Sequence, residues 1–241
     1  GADVIKVEPP GTGDQTRGAM GFKMKGPDSM GFLNMNRNKR SLTLDLKSEE
    51  GREAFYQLAT TADVIVENFR PGTLERWGLG FDELQRINPR LVLVRVTGYG
   101  QSGPYAHRAG YASIGEAMGG LRHLVGEPDR PPGRCGISLG DTLTAMFGAL
   151  GALAALEHRR RTGLGQVVDA SIYESVLAVT ESLIPEWVLA GHERTRTGAT
   201  LPGVAPSNVY PSAEGADVLI AANRDTVFER LCEAMGRPEL A

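Results

Sequence analysis

Short runs of β-branched residues alternate with amphipathic helical segments along most of the chain. The sequence predicts strands at Val4–Val7, Ser41–Asp45, Val64–Glu67, Leu91–Thr97 and Gln166–Ala170. Strands that are separated by helices are typical of βαβ units, in which helices cover a parallel sheet. We therefore predict an α/β fold with an open, mostly parallel sheet and flanking helices, Rossmann-like in its layers.

The helices between the strands have recognisable start and stop signals. Ser48 is the predicted N-cap of a helix that ends at Ala59. The segment Pro71–Trp77 is expected to be a short helix with its proline at the first helical position. Ile172–Leu189 is predicted to form one long helix, bent near Pro185.

The character of the sequence changes after Gly191. A stretch rich in Gly, Pro, Thr and Arg follows, and then a predicted strand at Val218–Ala222 and a helix at Thr226–Met235. We predict a large domain over residues 1–195, and a linker with the start of a smaller α/β domain over 196–241. Because Ala2–Val7 is strand-like from the second residue, we expect a fragment of a longer chain.

Composition limits the classes of partner. The 241 residues carry a formal net charge of −3, so we expect no binding to nucleic acid or to a membrane surface. Cys135 and Cys232 form no CxxC pair, and the histidines show no metal-ligand spacing, so we predict no metal site. With no signal peptide and no run of about twenty apolar residues, the sequence favours the cytoplasm.

Asp141 stands in front of Thr142–Leu156, an apolar segment that predicts a buried helix. A carboxylate at this place faces the free N–H groups of the first helical turn, where the dipole favours its ionised form. Beside a flexible residue, Gly140, such a group can be a nucleophile. It can equally be an N-cap that only stabilises the helix, and most aspartates at such places are structural.

Other polar clusters also have two readings each. Cations at Asn36–Arg40 and Lys47 flank a predicted strand, where they could bind a diphosphate or form a solvated loop. Glu67–Gly72 follows a strand and leads into a helix, the place where open α/β sheets bind ligands. Arg76 and Trp77 could clamp a purine, or simply lie on an amphipathic helix. The chain lacks a GxGxxG loop, so we do not predict NAD binding.

Five segments of the chain, in the same order, resemble sequence motifs of the class III coenzyme A transferases of the formyl-CoA and carnitine CoA-transferase type. They are Gly1–Glu8, Asn38–Lys47, Ala62–Gly72, Leu139–Asp141 and Thr162–Ala170. Together they span nearly the whole chain. The resemblance makes residues 1–195 part of a CoA-binding catalytic domain.

The resemblance also implies a site. Asp141 takes the place of the catalytic aspartate, and Tyr111 that of a residue lining the acyl site. The residues implied to contact CoA are Leu44, Lys47, Asn68, Phe69 and Arg76. Lysine and arginine can pair with the phosphates, while Phe69 offers apolar contact.

The implied reaction uses acyl-CoA and a small carboxylic acid as substrates, with no permanently bound cofactor. Asp141 attacks the thioester carbonyl to give a mixed anhydride, and the CoA thiolate then converts the anhydride to an enzyme–CoA thioester. An incoming carboxylate reverses these steps, and water must be excluded from the anhydride. Members of this family are interlocked homodimers, so we expect one here.

The loop at residues 197–206 takes the place of a mobile glycine-rich cover in relatives. It has only Gly198 and Gly203, which argues against the same movement. We expect its backbone N–H groups, with those at the start of the Asp141 helix, to be the oxyanion donors.

The identity of the acceptor acid stays open for two reasons. Family members often have an acidic residue directly after the aromatic residue, but this chain has Ala112 after Tyr111. Some relatives also have a lysine nearby that this chain lacks, although Arg108 is close by as a substitute. Several arginines would suit a dicarboxylate or be ordinary surface residues. They are Arg108, Arg122, Arg130, Arg134, Arg194 and Arg196.

Two further readings remain. The 2-methylacyl-CoA racemases share the fold and the aspartate, but they have a histidine where this chain has Tyr111. The other is a protein that binds CoA without catalysis.

Overall fold

A computed structural model describes residues 1–19, 21–23 and 26–241. The strands are β1 (Ile5–Glu8), β2 (Arg40–Thr43), β3 (Val64–Glu67), β4 (Val92–Thr97), β5 (Val167–Ser171), β6 (Ser207–Pro211) and β7 (Asp217–Ala221). The helices are α1 (Thr16–Ala19), α2 (Met30–Met35), α3 (Glu49–Ala59), α4 (Thr73–Arg76), α5 (Phe81–Ile87), α6 (Ala112–Met118), α7 (Leu121–Leu124), α8 (Leu139–Thr162), α9 (Ile172–Leu177), α10 (Leu183–Ala190) and α11 (Asp225–Ala234). A 3₁₀ turn follows at Pro238–Leu240.

Parallel strands and flanking helices confirm the α/β prediction. β1 pairs in parallel with β2, and β3 pairs in parallel with β4, whose other neighbour is β5. β6 and β7 form an antiparallel hairpin. The predicted strands shift by one or two residues at most, and β3 begins and ends where the sequence places it.

The chain folds as two compact units. The first contains residues 1–107 and 147–170, and the second contains residues 108–146 and 171–241. The first unit holds β1 to β4 and nearly all of β5, whereas the second holds α6, α7 and the hairpin. The boundary at 195/196 stays a prediction.

Strand β4 is buried on both of its faces. Leu91 and Leu93 join the core formed with α3, α4 and α5, whereas Val92 and Val94 pack beside Ala155 of α8. Because side chains alternate along a strand, these two clusters lie on opposite sides of the sheet. Each fully buried leucine contributes about 1.5–3 kcal/mol, so β4 anchors the first unit.

Two helix predictions are wrong in their details. Pro71 lies before α4, because Gly72 takes a left-handed conformation (φ 78°) that ends the preceding turn and starts the helix at Thr73. Residues 172–189 form two helices and not one bent helix. The break is at Glu181, with φ 55°, and Pro185 is tolerated because it lies in the first turn of α10.

One further prediction, the N-cap of α3, is confirmed, and one strand was not predicted. The Ser48 side chain accepts a hydrogen bond from the Gly51 N–H at 3.0 Å, so the predicted N-cap of α3 is confirmed. No strand was predicted between Gly191 and Val218, but Ser207–Pro211 forms strand β6.

Helix α8 is the one helix of the described residues that is long and apolar enough to cross a membrane, judged by length and composition alone. Its middle packs on the sheet instead. A side chain at Gly148 would contact Val94 at 3.4 Å, and one at Gly151 would clash with Val168 at 2.6 Å. These glycines let α8 lie close to β4 and β5, as in a helix that covers a sheet.

Candidate active site

The start of α8 presents Asp141. The N-cap prediction is wrong, because α8 begins at Leu139 and Asp141 is already within its first turn. The Thr142 N–H donates to the Ser138 carbonyl at 3.0 Å, a helical bond that spans Asp141. The carboxylate is therefore carried by a regular helical turn, which fixes its backbone.

Gly140, directly before Asp141, is held from both sides. Its N–H donates to Glu116 Oε1 at 3.2 Å, and its carbonyl accepts from Thr144 Oγ1 at 2.7 Å. A Cβ here would lie 3.2 Å from both Glu116 Cγ and Ile172 Cγ2. Such contacts are tighter than a side chain normally makes, so a larger residue at position 140 would displace Glu116 or Ile172 by a few tenths of an ångström.

Glu116 of α6 is itself buried, with only 1% of its surface exposed. Its other oxygen, Oε2, accepts from Arg122 Nε at 2.8 Å, and Arg122 also reaches Ser113 Oγ at 3.4 Å. A buried carboxylate needs a partner charge and hydrogen bonds. Arg122 and the Gly140 amide supply them.

The Asp141 carboxyl is placed differently. Among the residues that the structure describes, none donates a hydrogen bond to its oxygens. Partial burial raises the pKa of Asp141, the negative charge of Glu116 raises it further, and Arg134 opposes both. The helix dipole alone would favour the charged form, so Asp141 is more basic than its position on the helix suggests.

The Asp141 carboxylate is open to solvent, accepts no hydrogen bond from the described residues and has a raised pKa. These are the features of a nucleophile or of an acid–base group. Tyr111, predicted to line the acyl site, is 77% exposed and directly precedes α6. The next residue, Ala112, has its carbonyl oxygen 3.4 Å from the position of a Cβ on Gly140. The local chain thus brings the backbone beside Tyr111 to the Asp141 turn.

In the first unit, the turn after β3 is built on a buried ion network. Glu67 Oε2 accepts from the Phe69 N–H at 2.6 Å, and Oε1 accepts from Arg95 Nε at 2.6 Å. Arg95 also binds Glu75 of α4 at 2.6 Å. Burial raises the pKa of Glu67, although Arg95 acts against this. The network fixes the backbone that carries Asn68 and Phe69.

The other predicted CoA contacts lie around this turn or on β2 and its continuation. The Phe69 ring meets Trp77 edge-on, with centroids 5.1 Å apart. Leu44 and Trp77 pack against the same leucine-rich core. Arg76 is exposed, and its guanidinium donates to Thr73 Oγ1 at 2.9 Å. Lys47 is also exposed, and within the described part of the chain no hydrogen bond or ion pair joins its side chain to Asn68, Phe69 or Arg76.

The loop at residues 197–206 is tied to the segment after α7. Arg196 donates to the backbone carbonyls of His123 and Glu127 at 3.2 Å each, and the Gly198 N–H donates to the Gly126 carbonyl at 3.0 Å. The amides of residues 200, 201 and 204 also bond to backbone carbonyls. Because the Gly140 amide is occupied as well, fewer oxyanion donors are available than the sequence suggested.

Comparison with known proteins decides the family. The model of CoA-transferase family III matches residues 1–241. This chain belongs to CoA-transferase family III.

Family III relatives with known names are similar along the whole chain. The succinyl-CoA–D-citramalate CoA-transferase of Chloroflexus aurantiacus is 57% identical over 241 residues, which cover 100% of this chain and 60% of that protein. The succinyl-CoA:mesaconate CoA-transferase of Haloarcula hispanica is 42% identical over 249 residues, covering 100% of this chain and 62% of that protein.

A solved family III structure gives the same result for the fold. The CAIB/BAIF family protein from Brucella suis matches with a TM-score of 0.88 and 38% identity, over 100% of this chain and 64% of the other. This chain thus spans less than two thirds of the length of these relatives.

The sequence did not predict the ion pairs that support the Asp141 turn and the turn after β3 of this family III chain. Glu116 and Arg122 have no special spacing, and a glutamate on a short helix is normally read as exposed. Arg95 lies in a strand that otherwise reads as apolar, VLVRVT, and a charge inside such a run is the one signal that could have indicated a buried network.

Proposed function

We propose that the whole protein is a CoA-transferase that moves CoA from an acyl-CoA thioester to a free carboxylic acid, with Asp141 as the nucleophile. The observation that carries this proposal is the Asp141 carboxyl itself. It lies in the first turn of α8, accepts no hydrogen bond from the described residues and has a raised pKa. Membership of family III supports the reaction class.

In the proposed mechanism, an Asp141 oxygen attacks the thioester carbonyl and the C–S bond breaks, so that an aspartyl–acyl anhydride and CoA thiolate form. The thiolate then attacks the aspartyl carbonyl, which releases the donor carboxylate and leaves an aspartyl–CoA thioester. The acceptor carboxylate repeats the two steps in reverse. The thioester's free energy is conserved throughout, because each intermediate is itself an activated acyl group.

CoA itself would be held by residues of the first unit. Phe69 and Leu44 offer apolar contact, whereas the exposed cations of Arg76 and Lys47 can pair with phosphates. The amide of Asn68 can donate to and accept from polar groups of the nucleotide or pantetheine.

The acceptor we propose is a dicarboxylic acid, since the relatives named above act on citramalate and mesaconate. The structure narrows the choice among the six arginines. Arg122 and Arg194 form ion pairs with Glu116 and Glu186, and Arg196 donates hydrogen bonds to backbone carbonyls. Arg134 makes one long hydrogen bond to the described residues, 3.5 Å to Ser138 Oγ, and its charge acts on Asp141. We assign Arg134 to the second carboxylate of the acceptor.

An interlocked homodimer is part of the proposal. Apolar side chains of α8 remain exposed, among them Met146, Leu150 and Leu153. Monomeric soluble proteins rarely leave a large apolar face open. Light scattering on the full-length protein would test this, and a monomer would contradict it.

The activity test uses the full-length protein, a set of acyl-CoA thioesters that includes succinyl-CoA, and a set of free acids. Mass spectrometry should detect new acyl-CoA species with dicarboxylic acceptors. Exchange of the α-proton in deuterated water without a new acyl-CoA would indicate a racemase, and binding without either reaction would indicate a non-catalytic protein. Arg134→Gln should raise KM for a dicarboxylic acceptor and leave KM for acetate unchanged; an equal effect on both would contradict its role.

A further inference from the structure

Within the second unit, α6, α9 and the first turn of α8 meet at the residue before Asp141, and glycines allow this close packing. A Cβ on Gly115 of α6 would lie 2.4 Å from Ile172 Cγ2, and one on Gly119 would lie 2.7 Å from Val176 Cγ1. Ile172 also closes on Gly140, at 3.2 Å. Since no side chain fits at Gly115 or Gly119 and the contact at Gly140 is tight, α6, α9 and the start of α8 have little freedom to shift against one another.

The only charged group that these contacts enclose among the described residues is Glu116, which is 1% exposed. Burying a carboxylate costs free energy that a neutral core residue would not cost. Arg122 satisfies one oxygen, at 2.8 Å. The other is directed at the Gly140 amide, which belongs to the first turn of α8 and has no partner within that helix.

We propose that Glu116 is a positioning residue for the transfer reaction: held by Arg122, it fixes the Gly140 amide and thereby the direction in which the next residue, Asp141, presents its carboxylate. The inference rests on the proposed function, because it needs Asp141 to be the nucleophile. Glu116 itself touches no substrate in this account. Its effect on Asp141 is transmitted through one backbone amide and through its charge.

Two variants of the full-length protein separate these effects. Glu116→Ala removes the acceptor of the Gly140 amide, so kcat for CoA transfer should fall by about 100-fold, as small misplacements of reacting groups do. KM for the acyl-CoA should stay unchanged. Glu116→Gln keeps an oxygen that can accept from Gly140, so it should restore most of kcat.

The pH profile reports the charge effect of Glu116 on Asp141 separately from its hydrogen bond to the Gly140 amide. The charged groups that act on Asp141 are Glu116 from α6 and Arg134 from the preceding loop, and Glu116 faces Arg122 of α7. Removing the negative charge in Glu116→Gln favours the ionised form of Asp141. The acidic limb of kcat should therefore move to lower pH than in the wild type.

A matched control is Ser113→Ala, which removes the other contact of Arg122 but nothing at Gly140. Its kcat should stay within about two-fold of the wild type. If folded Glu116→Ala also stays within that range, the inference is wrong. It is equally wrong if Glu116→Gln loses as much kcat as Glu116→Ala with an unmoved acidic limb.

Should Glu116→Ala fail to fold, Glu116→Asp takes its place, since it keeps the charge but shortens the side chain that reaches the Gly140 amide. A kcat well below that of the wild type supports the inference, and a wild-type kcat overturns it. Asp141→Ala belongs to the same series. If it keeps transferring CoA, the proposed function fails. If it is inactive while Glu116→Ala is fully active, only the positioning role fails.

Discussion

Glu67 in the first unit and Asp141 in the second are both acids whose pKa burial raises, but their surroundings differ. Both oxygens of Glu67 accept hydrogen bonds, one from Arg95 and one from the Phe69 amide. Asp141 accepts none from the described residues, and besides burial its pKa is raised by the like charge of Glu116 and lowered by Arg134.

Under the proposed function, this difference separates an acid that supports the structure from one that reacts. A carboxylate whose two oxygens both accept hydrogen bonds stabilises a turn, and its attack on a substrate would break those bonds. A carboxylate that is partly dehydrated and unbonded keeps its basicity for chemistry. A raised pKa alone does not distinguish the two, whereas the hydrogen-bond partners do.

The largest effect is expected at Asp141. Asp141→Ala should lower kcat of the full-length protein by at least about 10³-fold, since the covalent route is lost. Glu67→Gln should lose far less kcat, because Glu67 supports the turn and not the reaction. Steady-state exchange assays measure both, and equal losses would remove the distinction between the two acids.

Breaking the structural network should unfold the protein more easily. Arg95→Met leaves Glu67 as a buried charge without its cation, so the free energy of unfolding should fall by about 3–5 kcal/mol. The control is Arg86→Met, whose partner Glu83 is 3.9 Å away on an exposed face. That variant should change stability by less than about 0.5 kcal/mol. Urea unfolding measures both, and similar small values would contradict the importance of the buried network.

A smaller effect is expected from Arg76, which the turn after β3 leaves exposed. Arg76→Gln removes a cation for a CoA phosphate, so KM for acyl-CoA should rise about ten-fold with kcat unchanged. The rise should shrink as salt is added. Arg86→Gln, on the neighbouring helix α5, is the matched control. A KM that does not change in Arg76→Gln would remove this residue from the CoA site.

The smallest effect concerns stability at Asp141. Because its pKa is raised in the folded state, the ionised carboxylate costs folding free energy above that pKa, and the cost disappears below the pKa of an exposed aspartate, about 3.9. Asp141→Asn should therefore melt slightly higher than the wild type at pH 7. The gain should disappear as the pH approaches 4. Calorimetry at both pH values checks this, and a lower melting temperature at pH 7 would contradict it.

Much of the fold could be predicted because local patterns determine it. The β-branched runs located the parallel strands, and α3 begins after its N-cap Ser48 and ends at Ala59 as predicted. The break between α9 and α10 was missed because Glu181 adopts a left-handed conformation that a glutamate rarely takes.

The site could be predicted less well. The family resemblance directed attention to Asp141, but its place within the first turn of α8 depends on where Ser138 bonds. The burial of Glu116 depends on Gly115 and Gly119 packing against α9, a contact between segments more than fifty residues apart that no local pattern reports.

The most direct test of the central claim is to find the covalent intermediate. The full-length protein is incubated with succinyl-CoA, digested, and searched by mass spectrometry for a CoA thioester on the peptide that contains Asp141, with hydroxylamine used to convert it to a hydroxamate. We predict the adduct on Asp141 in the wild type and its absence in Asp141→Asn. Transfer that proceeds at the wild-type rate with no adduct on Asp141, or an adduct on another residue, would contradict the account.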